Sequence, residues 1–165
     1  PRRLLELGTY CGYSALRIAR LMPREARLYS LELHAANAEI ARGILAYAGV
    51  DDRVTVIVGR LGDGGETIRN LKRENGFTQG ALDLVFIDHD KNAYLPDLEL
   101  ILDEGWLHQG SVVVADNILV PGAPAYRAYM RDNEGTLWHT TEHWTHVEYQ
   151  SVIKDLVLES DYLGT

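Results

Sequence analysis

The sequence is short of the features that mark secreted, membrane-spanning and nucleic-acid-binding proteins. It has one cysteine, Cys11, so no disulfide can form within the chain, and we expect a reducing, cytoplasmic environment. Its longest apolar runs, such as 82–87 and 111–115, have the length of a strand and are far shorter than a membrane span. The net charge is −8 and no run of lysine or arginine is long enough to form a phosphate-binding stripe, which argues against a nucleic-acid or anionic-membrane partner.

What remains is the composition of an ordinary globular domain, with 46% hydrophobic and 24% charged residues. A chain of this length normally forms one domain. Short apolar runs alternate with longer stretches of helical periodicity, which is the pattern of an α/β fold. We therefore predict one domain over residues 1–165, a doubly wound and mostly parallel sheet that ends in an antiparallel hairpin.

The same pattern sets the expected boundaries of the elements. The predicted parallel strands are 4–7, 28–33, 54–58, 82–87 and 111–115. The predicted helices are 13–22, 35–48, 65–74, 93–104 and 124–131, and the predicted hairpin strands are 137–143 and 151–158. Right-handed crossovers bring the carboxyl ends of parallel strands to one edge of the sheet, so we expect a ligand there.

Two features near the first two strands indicate a nucleoside-containing cofactor. Gly8 and Gly12 follow a strand that carries Glu6, and such glycines let a ligand approach the backbone at a helix start. The spacing is not G-x-G-x-x-G, which makes a nucleotide-dependent oxidoreductase a remote alternative. Glu32, near the end of the second strand, is placed to accept hydrogen bonds from two ribose hydroxyls. A structural turn and a solvated carboxylate are the competing interpretations.

Oxygen-bearing side chains follow two neighbouring strands. Asp88 follows the fourth strand, and Asp116 and Asn117 follow the fifth. Hard oxygen ligands with open positions suit Mg²⁺, although an aspartate after a strand can instead cap the next helix. We interpret the neighbouring His89 as a wall of the cofactor pocket. Trp138 and Trp144 either line a substrate pocket or belong to the core.

Several motifs, in the same order along the chain, resemble those of catechol O-methyltransferases. They are Leu5-Glu6-Leu7-Gly8-Thr9-Tyr10-Cys11-Gly12-Tyr13-Ser14, Phe86-Ile87-Asp88-His89, Tyr94-Leu95-Pro96-Asp97, Ala115-Asp116-Asn117 and Val120-Pro121-Gly122-Ala123-Pro124. The similarity runs over essentially the whole chain. It implies a Rossmann-like methyltransferase sheet, S-adenosylmethionine and Mg²⁺ as cofactors, and a small catechol or related phenol as the methyl acceptor.

The resemblance also implies roles for individual residues. The expected cofactor-binding residues are Glu6, Gly8, Tyr10, Ser14, Glu32, Leu33, Asp88 and His89, with Ser14 at the methionine carboxylate and Glu32 at the ribose. The expected metal ligands are Asp88, Asp116 and Asn117. Lys91 matches the general base, Glu148 the carboxylate that holds the second catechol hydroxyl, and Pro121 the apolar substrate wall. Together with Asp88 and Asn117, these three residues form the expected substrate site.

Three departures from the family pattern leave alternatives open. With Asp90, the pattern Asp-x-Asp-Lys resembles that of related enzymes that methylate caffeoyl-type phenols, so caffeoyl esters are a second substrate class. Leu61 and Gly62 replace a polar pair that contacts adenine, so we expect shape and backbone to hold the base. The helices that usually precede the first strand and cover the cofactor are missing from this sequence. That leaves open a shortened chain, a cover supplied by another subunit through self-association, and a cofactor-binding fragment without turnover.

Overall fold

The computed structural model describes residues 1–147 and 150–164. These residues form seven strands: β1 (Arg3–Leu7), β2 (Arg27–Glu32), β3 (Val54–Val58), β4 (Leu82–Ile87), β5 (Leu107–Ala115), β6 (Trp138–His146) and β7 (Lys154–Tyr162). Within the same described part lie five α-helices: α1 (Tyr13–Leu21), α2 (Ala35–Tyr47), α3 (Glu66–Asn75), α4 (Tyr94–Asp103) and α5 (Pro124–Asp132). Among these helices, none is both long and apolar enough to cross a membrane.

All seven described strands belong to one sheet, in the order β3-β2-β1-β4-β5-β7-β6. The first five are parallel, whereas β7 runs antiparallel to β5 and to β6. The predicted doubly wound sheet with a terminal antiparallel hairpin is therefore confirmed. Strand order reverses between β1 and β4, and ligands of such sheets bind at this reversal, beyond the carboxyl ends of the strands.

The core lies on both faces of the sheet because side chains of a strand alternate between faces. Leu4 of β1 packs with Ala15 of α1 and Ala41 of α2. Leu5 and Leu7 of the same strand pack on the opposite face with the helices α3, α4 and α5. Small alanines on α1 and α2 let these two helices lie close to the sheet, which brings the loop after β1 next to the carboxyl end of β2.

The boundaries of β5 and of the hairpin differ most from those predicted. β5 begins at Leu107 rather than at residue 111, and its pairing with β4 shifts register between Leu82 and Leu84. The polar residues 108–110 carry no apolar signal, so backbone pairing alone extends the strand. β6 and β7 continue to residues 146 and 162, and β7 begins at residue 154 rather than at 151. β6 is an exposed edge strand, so pairing with β7 rather than burial holds its additional residues.

Gly8 fixes how closely the first loop approaches β4. Its φ of +106° lies in the region that side chains rarely adopt. An added Cβ would lie 2.4 Å from the main-chain oxygen of Asp88. Glycine at this position therefore allows the ends of β1 and β4 to meet, and it places the loop and the Asp88–Lys91 turn side by side.

Candidate active site

A cavity of about 700 Å³ lies at the carboxyl edge of β1, β2, β3 and β4. Its volume is within the range of small-molecule sites, roughly 300–1,000 Å³. The lining comes from four loops, and its residues are Leu7, Gly8, Tyr10, Leu31, Glu32, Leu33, His34, Asn37, Gly59, Arg60, Leu61, Gly62, Asp88, His89, Asp90, Asn92, Ala93, Pro96 and Asp97. The cavity is therefore where the sheet reversal predicts a ligand.

Most of the predicted cofactor-binding residues line this cavity, and two do not. The lining set contains Gly8, Tyr10, Glu32, Leu33, Asp88 and His89. Glu6 is instead fully buried beneath the first loop, where its carboxyl accepts hydrogen bonds from Ser14 and Ser30. The two non-lining residues, Glu6 and Ser14, thus stabilise the loop from below, and their contact with a cofactor stays a prediction.

Burial has a large effect on the charge of Glu6. Loss of solvation raises its pKa to about 7, with a smaller contribution from the negative charge of Asp88. The hydrogen bonds from Ser14 and Ser30 favour the carboxylate and oppose the rise. Glu6 is therefore a titratable group under the loop whose charge changes near neutral pH.

Glu32 is held by main-chain donors at the mouth of the cavity. Its Oε2 accepts the Tyr10 N–H at 2.8 Å, and its Oε1 accepts the His34 N–H at 2.9 Å. The side-chain amide of Asn37 donates to Oε1 at 3.4 Å. A carboxylate offers about four acceptor positions, so lone pairs remain on this fixed carboxylate for the hydroxyls of a bound ligand.

His89 forms part of the cavity wall and is fixed by two neighbours. Its Nε2 lies 2.9 Å from Oδ2 of Asp97, and its ring stacks on Tyr94 with centroids 5.3 Å apart. Asp97 is an acidic residue of the largely apolar helix α4, and its side chain is almost fully buried. These contacts agree with the interpretation of His89 as a wall of the pocket.

Lys91 lies at the centre of a polar cluster beside the cavity. Its ammonium donates to Oδ1 of Asp88 at 3.0 Å, to Oδ1 of Asn117 at 3.3 Å and to the Tyr94 hydroxyl at 2.5 Å. The Tyr94 hydroxyl in turn donates to the main-chain oxygen of Asp116 at 3.0 Å. Burial, together with the charges of Asp88 and Asp116, raises the pKa of Tyr94, so it stays a neutral phenol.

Asp88 and Asn117 contact Lys91 with side-chain oxygens from the ends of β4 and β5, while Asp116 contacts Tyr94 with its main-chain oxygen and accepts the Asn117 N–H with Oδ1. Burial raises the pKa of Asp116, and the charge of Asp88 adds to the rise, while the Asn117 N–H and Lys91 oppose it. The described residues contain no group of three or more histidine, cysteine, aspartate or glutamate side chains suited to a metal. Two carboxylates and an amide oxygen nevertheless fit Mg²⁺, which is often held by one or two carboxylates with waters and substrate oxygens.

The remaining predicted residues have different outcomes. Pro121 is exposed in the irregular helical turn 118–122 that follows Asn117, and its substrate role stays a prediction. Glu148 lies outside the described residues. Trp138 is fully buried in the core, whereas Trp144 is 61% exposed on the edge strand β6 and lines none of the cavity.

Three acidic or phenolic residues of the site had no role in the sequence interpretation: Tyr94, Asp97 and Asp155. Tyr94 and Asp97 belong to a motif that matched the family, and an aspartate inside an apolar helix was a usable signal. Asp155 is fully buried and accepts hydrogen bonds from Asn117 Nδ2 and from the N–H groups of Leu119 and Val120. It is the second residue of β7 and lies inside the predicted strand 151–158, but no local pattern predicted its place beside Asn117.

The chain belongs to the O-methyltransferase family. Residues 1–135 match the model of a family described as O-methyltransferase. Over 164 residues the chain is 65% identical to a probable O-methyltransferase of Mycobacterium tuberculosis, covering 99% of this chain and 70% of that protein.

The vertebrate catechol O-methyltransferases are also similar. The pig protein is 48% identical over 79% of this chain and 68% of its own length. The mouse protein is 40% identical over 94% of this chain, but the chain spans only 56% of its length. The resemblance to the catechol O-methyltransferase family, inferred above from motifs, is thereby confirmed.

Solved structures agree with the fold. The O-methyltransferase TomG from Streptomyces achromogenes, determined with S-adenosylmethionine, superposes with a TM-score of 0.79 at 26% identity. The match covers 99% of this chain and 74% of that one. A putative O-methyltransferase from Klebsiella pneumoniae gives a TM-score of 0.78 with the same coverage and identity. The overall α/β fold is thus shared with these O-methyltransferases.

Proposed function

We propose that this chain transfers a methyl group from S-adenosylmethionine to one hydroxyl of a catechol-type phenol, with Mg²⁺ bound at the acceptor. The observation that carries this proposal is the cluster around Lys91. Its amino group contacts oxygens of Asp88 and Asn117, at the ends of two adjacent strands, directly beside a cavity of cofactor size. The similarity to catechol O-methyltransferases supports the choice of acceptor.

The cofactor half of the proposal rests on the cavity. Glu32 lines the cavity, has acceptor positions beyond those used by its main-chain donors, and is the group suited to the ribose hydroxyls. Gly62 lines the cavity with no side chain, which leaves room for a planar base next to His89. S-adenosylmethionine supplies the methyl group, and a neighbour with the same fold was determined with this molecule.

The acceptor half rests on the polar cluster. Mg²⁺, when bound by Asp88, Asp116 and Asn117, would position both phenolic oxygens and lower the pKa of the reacting hydroxyl. Lys91 Nζ, once it is a neutral amine, is the atom placed to receive the hydroxyl proton, which leaves it as an ammonium. The Tyr94 hydroxyl orients that amino group and fixes its distance from the end of β5. In-line alignment of acceptor and methyl group then supplies much of the rate acceleration.

A second acceptor class, caffeoyl esters and related vicinal phenols, is favoured by Asp90. This residue lines the cavity, and its Oδ1 accepts the Asn92 N–H at 3.0 Å and the Asn92 side-chain amide at 3.2 Å. A short polar group at the cavity rim leaves space for an acceptor larger than catechol. The reaction and the roles of Lys91 and the metal ligands are the same for both classes.

The test is a radiolabelled-methyl assay over a panel of catechols and caffeoyl esters, with Mg²⁺ or with excess chelator. We expect methyl transfer that depends on the divalent cation. Lys91→Ala should lower turnover by about 100-fold or more, because it removes the proton acceptor, with little change in cofactor affinity by calorimetry. Asp116→Ala should have the same selective effect on turnover, and Asp51→Ala, at an exposed position, is the matched control.

Three outcomes contradict parts of the proposal. Equal turnover in chelator would overturn the metal role. A Lys91→Ala variant that loses cofactor affinity but keeps turnover would demote Lys91 from base to binding residue. Cofactor binding without methyl transfer to any acceptor of the panel would show a cofactor-binding fragment rather than an enzyme.

A further inference from the structure

Asp155 is a buried carboxylate at the start of β7 that the reaction described above does not use. Its side chain is fully buried, and its two oxygens have different partners. Oδ2 accepts the side-chain amide of Asn117 at 3.0 Å. Oδ1 accepts the N–H groups of Leu119 at 3.0 Å, Val120 at 3.2 Å and Leu156 at 2.7 Å.

The topology explains why Asp155 lies at this edge. β7 runs antiparallel to β5, with Ala115 opposite Leu158, so the first residues of β7 extend beyond the carboxyl end of β5. Asn117 and the 118–122 turn also follow the end of β5. Residues 38 positions apart in sequence therefore meet within hydrogen-bonding distance.

The chemistry of a carboxylate determines how the Asn117 amide is turned. An ionised carboxylate accepts hydrogen bonds and cannot donate them, so the Asn117 NH₂ group must face Asp155. The amide oxygen is then directed to the opposite side, where it accepts from Lys91 Nζ at 3.3 Å. A neutral or donating group at position 155 would not impose this orientation.

Asp155 also supports the backbone conformation of Asn117. Its φ of 54° and ψ of 42° lie in the left-handed region, which is sparsely populated by residues other than glycine. Such a conformation persists where surrounding contacts fix it. The hydrogen bonds from Leu119 and Val120 to Asp155 hold the chain just beyond this residue.

We propose that Asp155 is a positioning residue that orients Asn117 Oδ1 toward the metal and acceptor site and anchors the 118–122 turn beside it. The inference rests on the proposed function, in which Asn117 Oδ1 is a metal ligand. Asp155 itself contacts neither cofactor nor acceptor. Its effect on the metal passes through Asn117, and that coupling is what an experiment can isolate.

The experiment measures Mn²⁺ affinity by electron paramagnetic resonance in wild-type protein, D155N, N117A and the double variant, without acceptor. In D155N the side chain has one oxygen, and the N–H groups of Leu119, Val120 and Leu156 need it. The new NH₂ group then faces the NH₂ group of Asn117. Because two donors cannot pair, the Asn117 amide turns over and its oxygen leaves the metal site. We expect Mn²⁺ to bind about 10-fold or more weakly in D155N, as for other groups that orient metal ligands. S-adenosylmethionine affinity, measured by calorimetry, should change by no more than about twofold, because the cavity does not include Asp155.

The double variant separates positioning from the loss of a nearby charge. A through-space effect of the Asp155 charge persists when Asn117 is replaced, whereas a positioning effect disappears. D155N should therefore weaken Mn²⁺ binding in the wild-type background and not in the N117A background. S160A is the matched control, since Ser160 is also buried on β7 and its hydroxyl bonds Thr140 at 3.0 Å.

A measurement on the wild-type protein covers the case in which D155N does not fold. In ¹⁵N-labelled protein the side-chain amide of Asn117, assigned by its absence in N117A, should exchange slowly with solvent. Rapid exchange would overturn the proposal, as would unchanged Mn²⁺ affinity in D155N or an equal loss in both backgrounds. Wild-type protein that binds no Mn²⁺ would overturn the metal-dependent function as well, which distinguishes the two failures.

Discussion

Replacing Glu6 by glutamine should change how the stability of the protein depends on pH. Glu6 is fully buried, and burial raises its pKa from 4.5 in the unfolded chain to about 7 in the folded protein. The folded state therefore binds this proton more tightly than the unfolded state does. The resulting stabilisation is fully present below about pH 4.5 and is lost as the pH rises through about 7.

The magnitude follows from the size of the shift. Each pKa unit corresponds to about 1.4 kcal/mol, so the shift corresponds to a total of roughly 3 kcal/mol. Most of this stabilisation, roughly 2–3 kcal/mol of the free energy of unfolding, is lost between about pH 5 and about pH 8. Glutamine keeps the shape of the side chain but does not titrate. The free energy of unfolding of Glu6→Gln should therefore gain that amount relative to wild-type protein over this interval.

The assay is urea denaturation of both proteins, free of cofactor, across this pH range. Titrations elsewhere in the chain affect both proteins and cancel in the difference. Glu25→Gln, at an exposed position, controls for the change from carboxylate to amide. A difference between wild-type protein and Glu6→Gln that stays constant across the pH range would refute the argument that burial sets the charge of Glu6.

Three further substitutions test the first loop, helix α2 and the polar cluster. Gly8→Ala should lower the free energy of unfolding by about 2–3 kcal/mol, because its Cβ would lie 2.4 Å from the Asp88 oxygen. Gly43 lies in helix α2, and an added Cβ would meet no atom within 4 Å beyond its chain neighbours and the helix's own backbone, so Gly43→Ala should instead stabilise the protein by about 0.5–1 kcal/mol. Urea denaturation that ranks the two variants equally would contradict this. Tyr94→Phe should lower turnover by roughly 3- to 10-fold, because Lys91 loses one hydrogen bond, and steady-state kinetics with unchanged turnover would contradict it.

Much of the site could be predicted because its residues directly follow strands. Asp88 and Asp116 come immediately after β4 and β5, so an apolar run followed by a carboxylate was enough to place both at one edge. Glu32 closes β2 in the same way. Parallel strands share the direction of their carboxyl ends, and therefore local patterns translated into a shared position.

Other residues of the site could not be placed in this way. Glu6 alternates with core leucines on β1, and nothing in its neighbourhood along the chain shows that it lies beneath the loop rather than in the cavity. The start of β5 at Leu107 depends on a register shift against β4. Asp97 was visible as an aspartate in an apolar helix, but its partner His89 became evident only from the packing of α4 on the sheet edge.

The amino-acid sequence by itself determined the strands, the helices, the family and the residues that meet at the carboxyl edge. Those features depend on periodicity and on short motifs, which are local. The tertiary structure alone decided the raised pKa of Glu6, the orientation of the Asn117 amide and the place of Asp155 beside it. Each of these depends on burial or on the register of antiparallel strands, and both arise from contacts between residues far apart in the chain.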